Sequence, residues 1–198
     1  MKQLSLLIDA NTTPDICGLT YIPDFITKEE EQSLLASIDS APWLNDLKRR
    51  VQHYGYKYDY KARTVNDDAY LGPLPKWVTP LSQRLFKEKI FSAVPDQVIV
   101  NEYQPDQGIS AHIDCVPCFD GTIASLSLGS SCVMEFSNAR MQEKKEVLLE
   151  ERSLIVLSGE ARYDWTHAIP GRKSDVINSQ KMYRARRISL TFRNIVLG

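Results

Sequence analysis

The chain has 198 residues, 43% of them hydrophobic and 25% charged, with a formal net charge of -1 at pH 7. That length suits one sizeable core, and a nearly neutral chain has no global field to draw it onto nucleic acid, so any such contact must come from a local patch. No apolar run approaches the roughly 20 residues of a membrane span, and the apolar stretch in "MKQLSLLIDANTT" is shorter than the roughly 7 to 15 residues of a signal-peptide core.

We therefore expect a non-secreted, non-membrane monomer, cytoplasmic or, in a eukaryote, nuclear. The four cysteines, Cys17, Cys115, Cys118 and Cys132, are then expected to be free thiols in a reducing compartment.

In chain order, "ITKEEEQSLLASIDS" offers Thr27 as N-cap and Glu30 three residues on, followed by Leu34, Leu35 and Ile38 at helical spacing. Residues 48–63, "KRRVQHYGYKYDYKAR", combine Lys48, Arg49, Arg50, Lys57, Lys61 and Arg63 with Tyr54, Tyr56, Tyr58 and Tyr60 at every second position. The alternation predicts a strand with an aromatic face. Cations beside aromatic rings suit phosphates and unstacked bases, although tyrosines packed on the core and solvated charges would give the same pattern. A second helix is predicted in "KWVTPLSQRLFKEKIF", with Trp77, Leu81, Leu85 and Phe86 on one side and Pro80 in its first turn.

From residue 97 the period changes to two. "QVIVNEY", "TIASLSLG", "CVMEF", "EVLLE", "RSLIVL" and "RRISLTFRNIV" read as short strands separated by turn signals. Helices followed by many short strands predict helices packed outside an antiparallel sandwich or barrel such as a jelly roll.

The stretch "AHIDCVPCFD" holds four possible metal ligands, His112, Asp114, Cys115 and Cys118. In extended backbone residues i and i+2 point the same way, so His112 and Asp114 can converge on one ion. A third ligand must come from His53 or His167, and His167 follows a predicted core strand. Two histidines and a carboxylate form the facial triad of non-haem Fe(II), or a catalytic zinc set; an isolated H-x-D can equally be a hydrogen-bonded loop. Structural zinc on Cys115 and Cys118 would need a second ligand pair, which Cys17 and Cys132 are not spaced to supply.

In "RRISLTFRN", alternation puts Arg187, Ser189, Thr191 and Arg193 on one face and Ile188, Leu190 and Phe192 on the other. On an edge strand these arginines would be solvated. Facing an interior they require an anion, and a guanidinium fork fits a carboxylate. Asn101 and Tyr103, at i and i+2 in "VIVNEY", could complete an anion pocket.

Taken in order, "NEYQPDQGISAHID", "SLSLGS", "SLIVLSGEARYDWTHAIP" and the R-x5-R of "RRISLTFR" resemble the AlkB-type Fe(II)- and 2-oxoglutarate-dependent dioxygenases. The wording is nearest to the branch that hydroxylates the wobble uridine of tRNA, and the likeness covers residues 18 to 197 in outline. It implies an α+β fold, a double-stranded β-helix (jelly roll) with N-terminal helices outside and a nucleotide-recognition lid. It also implies a single domain over residues 1–198, about 18–100 forming the helices and lid and about 97–197 the β-helix core.

The resemblance further implies Fe(II) on His112, Asp114 and His167, with 2-oxoglutarate held by Asn101, Tyr103 and Arg187, Arg193 near the metal, and O2 as cosubstrate. Such enzymes convert 2-oxoglutarate to succinate and CO2 while oxidising a substrate C–H bond. The implied substrate is a modified or alkylated base in RNA or DNA, demethylated or hydroxylated, with Arg49, Arg50, Tyr54, Tyr56, Tyr58 and Arg63 in contact with it. Arg172, Lys173, Arg184 and Arg186 form a further basic group. The chain departs from the family's repair enzymes at Val116, where they often carry an acidic residue, and at Ser189, where they carry asparagine. The residues also leave open the same chemistry on a protein or small molecule, or a non-catalytic nucleic-acid-binding module.

Overall fold

Thr27 and Glu30 form the expected capping box at the start of the first helix, α1 (Lys28–Ser40): the Thr27 hydroxyl accepts from the Glu30 N–H and the Glu30 carboxylate accepts from the Thr27 N–H. The computed structural model describes residues 13–45 and 47–196. The apolar run at the N-terminus therefore lies outside the described residues.

Ahead of α1 stands β1 (Leu19–Ile22), and after it β2 (Val51–Tyr54) and a second helix, α2 (Thr79–Lys87). Pro80 occupies the first turn of α2, where a missing N–H costs nothing. Leu81 and Leu85 point inward as expected, but Phe86 is exposed, because the inward stripe continues through Ser82 instead.

The strand-rich half supplies β3 (Gln97–Tyr103), β4 (Ile109–His112), β5 (Ile123–Gly129), β6 (Cys132–Asn138), β7 (Glu143–Leu149) and β8 (Leu154–Leu157). A short helix, α3 (Gly159–Tyr163), leads into β9 (Thr166–Ile169), a hairpin of β10 (Ser174–Ile177) and β11 (Gln180–Tyr183), and β12 (Arg187–Arg193). All strand pairings are antiparallel, in a six-stranded sheet ordered β1-β8-β5-β12-β3-β2 and a four-stranded sheet ordered β4-β9-β6-β7. This is the jelly-roll arrangement expected, although β1 and β2 extend the larger sheet from the N-terminal half.

Each face of the larger sheet has its own partner. Val98, Val100, Leu126, Leu128, Ile188, Leu190 and Phe192 pack with Phe25, Leu34, Ile38 and Leu85 from the helical side. A second apolar cluster joins Ile123, Ile155 and Leu157 of that sheet to Met134, Phe136, Val147 and Ile169 of the smaller one. Between the sheets lies a cavity of about 260 Å³.

Tight packing of backbone sets the pairing that matters for this cavity. A Cβ added at Gly108, just before β4, would stand 2.0 Å from the Ile169 carbonyl oxygen, so only glycine lets β4 approach β9 there.

The basic group at residues 172–186 is largely consumed by the fold. Asp175, 1% exposed, accepts from Arg184 at 2.6 and 2.7 Å, from Arg172 at 2.7 Å and from the Val133 N–H at 3.2 Å. Arg186 pairs with Glu102 and Asp39.

Burial alone would raise the Asp175 pKa, but the hydrogen bonds from Arg184 and Arg172 prevail and lower it. A carboxyl whose folded pKa is depressed contributes stability above its unfolded pKa and loses it as pH falls through the folded one. Asp175→Ala leaves Arg184 buried and unpaired and is expected to cost about 3–5 kcal/mol. In denaturant melts the gap between wild type and Asp175→Asn should narrow between about pH 5 and pH 3; a gap that widens on acidification would contradict this assignment.

Candidate metal and cosubstrate site

The register of β4 against β9 places His112 directly opposite His167, and β9 is in turn held by β6, with His167 facing Phe136. The two imidazole centroids are 4.4 Å apart. Asp114, two residues past His112 where the strand has ended, brings an oxygen to 4.0 Å from His112 Nε2. His112, Asp114 and His167 each offer a ligand atom within 4.8 Å of the others, the one such grouping among the described residues. The third histidine, His53, is engaged elsewhere: its Nδ1 accepts from the Tyr58 N–H at 3.3 Å and its ring meets Tyr60 edge-on.

The surroundings prepare these groups for a cation. His112 Nδ1 lies 2.8 Å from the Ser110 carbonyl oxygen, which can only accept, so Nδ1 is the donor and Nε2 is the ring nitrogen left for a metal. Burial lowers the His167 pKa to about 4 despite the opposing pull of Asp114, so this ring is neutral at ordinary pH. Its buried Nδ1 has no hydrogen-bond partner. For Asp114 burial opposes ionisation, but the positive charge of Arg193 above all keeps its carboxyl well below the usual carboxylate range. Arg193 donates to Asp114 Oδ1 at 3.0 Å. A neutral imidazole, a second one whose Nε2 is left for a metal and a firmly ionised carboxylate are the donor set of a facial triad.

Sequence reasoning did not assign Arg162. This residue of α3, 2% exposed, donates to the Asp114 carbonyl oxygen at 2.9 Å and to that of Cys115 at 3.1 Å, so α3 fixes the backbone that carries Asp114. An arginine in "GEARYDW" carries no periodic signal that would have singled it out.

The cysteines correct an expectation. Cys115 and Cys118 are not free thiols but joined by a disulfide; Cys17 and Cys132 are free. The turn through Val116 and Pro117 brings the two Cα atoms to 5.3 Å, and both side chains are buried in the apolar cluster with Phe119 and Ile123. The Arg63 carbonyl oxygen lies 3.3 and 3.5 Å from the two sulfurs.

On β12, Arg187, Ser189, Thr191 and Arg193 all line the cavity, the interior face that alternation predicts. Arg187 is opposite Tyr103 and Ser189 opposite Asn101 in the register with β3, so Asn101 and Tyr103 share this face. Arg187, 3% exposed, donates through Nη2 to Ser127 Oγ at 2.8 Å, while its buried Nε and Nη1 have no partner. Two unsatisfied donors on a buried cation are costly unless acceptors meet them, and a carboxylate would answer both the charge and the open N–H groups. Ser189, at the position of departure from the repair enzymes, hydrogen-bonds Ser125 at 2.7 Å. Val116, the other departure, is exposed.

The basic-aromatic segment divides. Arg49, Tyr58, Tyr60 and Arg63 line the cavity, but Arg50, Tyr54 and Tyr56 do not. The single aromatic face is broken at Gly55, whose φ of +78° ends β2; a Cβ there would stand 1.8 Å from the Asp96 carbonyl oxygen. Tyr54 consequently packs edge-on against Trp77 and donates to Gln52, Tyr56 packs on Tyr70, and Arg50 is paired with Glu102 at 2.5 and 2.7 Å.

An antiparallel double-sheet barrel with a two-histidine, one-carboxylate set and an anion-seeking arginine inside it defines a non-haem metal oxygenase that uses an acidic cosubstrate. Comparison with known proteins gives the family: residues 18–193 match the model of the 2OG-Fe(II) oxygenase superfamily, and the chain belongs to it, as an AlkB-type member. It is 40% identical over 212 residues to the Arabidopsis thaliana protein named "Alkylated DNA repair protein ALKBH8 homolog", covering 96% of this chain and 61% of that one. It is 39% identical to the Mus musculus "tRNA (carboxymethyluridine(34)-5-O)-methyltransferase ALKBH8", covering 84% of this chain but 26% of the mouse protein. The solved structure of OsALKBH1 shares the fold, with a TM-score of 0.63 at 18% identity, over 89% of this chain and 96% of that one.

The family's cofactors are Fe(II) and 2-oxoglutarate, and the donor set described above fits the metal. Replacing Asp114 by Asn is expected to weaken Mn(II) binding, measured by calorimetry, by more than the roughly 10- to 100-fold that loss of an outer-shell partner costs. Undiminished Mn(II) binding in a folded Asp114→Asn protein would exclude the triad as the metal site.

Proposed function

We propose that this chain forms a single AlkB-like dioxygenase domain, residues 1–198, that oxidises a modified or alkylated base in nucleic acid. The observation that carries the reading is the buried Arg187 guanidinium with two unpartnered donors, in the same cavity as His112, Asp114 and His167. In this reading His112, Asp114 and His167 hold the metal, while Asn101, Tyr103 and Arg187 hold 2-oxoglutarate. Arg193 keeps Asp114 ionised and oriented. When bound, Fe(II) supplies the oxidation chemistry in which 2-oxoglutarate and O2 give succinate and CO2 and one oxygen atom enters a substrate C–H bond.

The chain's own residues do the remaining work. Arg187 neutralises the cosubstrate's far carboxylate, and the apolar wall of Ile123, Ile155, Leu157 and Ile169 keeps water from the reacting centre. Arg162 holds the backbone of Asp114 in place.

Nucleic acid as substrate is supported by the charge and aromatic content of the cavity lining. The lining includes Arg49, Arg63, Arg187 and Arg193 against Asp114 as the single carboxylate, a balance that remains positive after a divalent cation and a dianionic cosubstrate are added. Tyr58 and Tyr60 stand beside these cations, and rings next to cations suit an extruded base with its phosphates. The names of the Arabidopsis and mouse relatives refer to alkylated DNA and to a modified uridine of tRNA. Such substrates are consistent with a place in the cytoplasm, or the nucleus of a eukaryote, and the completeness of the site within one chain supports action as a monomer.

Succinate release from 2-oxoglutarate should require Fe(II) and rise several-fold with a methylated or tRNA-derived oligonucleotide. Mass spectrometry of that oligonucleotide then distinguishes gain of one oxygen from loss of a methyl group. Fe(II)-dependent turnover that no nucleic acid stimulates would overturn the substrate assignment.

A further inference from the structure

Arg49 and Arg50 are neighbours with different fates. Arg50 is paired with Glu102, whereas Arg49 turns inward to a neutral group: its Nε donates to Asn101 Oδ1 at 2.9 Å. The guanidinium stands 5.8 Å from the Tyr103 ring centroid and 5.9 Å from that of Tyr60, so two aromatic rings hold it in this position. Arg187 lies at 5.5 Å from the Tyr103 ring as well, which places both arginines around one tyrosine of the cavity wall.

A guanidinium can only donate. The Asn101 amide must therefore turn its oxygen to Arg49, and the end left for the cavity is the Nδ2 donor. Asn101 is 7% exposed and lines the cavity. An amide without such a partner can present either end, and the wrong end would set a carbonyl oxygen against an anionic cosubstrate.

We propose that Arg49 is a positioning residue for 2-oxoglutarate: it fixes the Asn101 amide so that Nδ2 donates to the cosubstrate. The proposal rests on the reading that Asn101, Tyr103 and Arg187 form the 2-oxoglutarate pocket. It assigns Arg49 to the cosubstrate through Asn101, rather than to a phosphate of the nucleic acid. It also accounts for a basic residue of the substrate segment that folds against β3 instead of reaching outward.

The test measures 2-oxoglutarate affinity by calorimetry on Mn(II)-loaded protein, together with KM and kcat for 2-oxoglutarate on the Fe(II) enzyme. Arg49→Ala should weaken 2-oxoglutarate binding roughly 5- to 10-fold and raise its KM correspondingly while kcat is largely kept. Arg49→Lys, which retains a donor, should recover most of the loss. In a double-mutant cycle, Arg49→Ala added to Asn101→Ala should cost little beyond Asn101→Ala alone.

Affinity within twofold of wild type in Arg49→Ala, or fully multiplicative losses in the double variant, overturns the proposal. So does a rise in KM for the oligonucleotide with 2-oxoglutarate binding unchanged, which would make Arg49 a substrate contact. If Arg187→Ala weakens 2-oxoglutarate and Arg49→Ala does not, the proposal alone fails. If Arg187→Ala and Asn101→Ala both bind it like wild type, the pocket reading fails and takes the proposal with it. Thermal melts of each apo variant confirm folding, and Arg49→Lys carries the comparison should Arg49→Ala not fold.

Discussion

A guanidinium buried inside a protein costs several kcal/mol unless an anion meets it, and this fold buries Arg187 and Arg193 on the inner face of one strand. Arg193 is answered from within the chain, by Asp114. Arg187 is only partly answered, by Ser127 and the face of Tyr103. That difference organises the cavity. At the Arg193 end the charge is used to keep a carboxylate ionised among two histidines, which readies it for a metal. At the Arg187 end the charge is left for an incoming carboxylate.

The geometry around these arginines comes from ordinary β-sheet constraints. Pairing of β3, β12 and β5 puts Asn101, Tyr103, Ser127 and Ser189 on the arginine face. Pairing of β4 with β9 sets His112 against His167, and Gly108 permits the close approach that pairing needs. The opposite face of the large sheet is apolar and covered by α1 and α2. Metal ligands from β4 and β9 thus belong to the smaller sheet and the cosubstrate groups to the larger, so the site is formed only when the two sheets close on each other.

Period-two alternation made the jelly roll and the arginine face legible in the sequence, because a strand fixes which side each residue faces. The histidine and aspartate pairing was legible through its i, i+2 spacing, and the family resemblance supplied His167 as partner. What alternation could not reveal was where a strand stops. Gly55 ends β2, so Tyr54 and Tyr56 leave the aromatic row while Tyr58 and Tyr60 return to the cavity by another path. Groups that act through long-range contacts were equally silent: Arg162 reaches Asp114 from 48 positions away, and Arg49 reaches Asn101 from 52. The bond between Cys115 and Cys118 depends on a turn that composition and compartment arguments do not see.

The central claim is that one cavity holds a metal on His112, Asp114 and His167 and an acidic cosubstrate on Arg187. A crystal structure of the protein grown with Mn(II) and 2-oxoglutarate tests it most directly. The account predicts the metal among those three side chains and a 2-oxoglutarate carboxylate on the Arg187 guanidinium. A metal bound elsewhere, or an Arg187 still without an anion while 2-oxoglutarate occupies another part of the cavity, would contradict it.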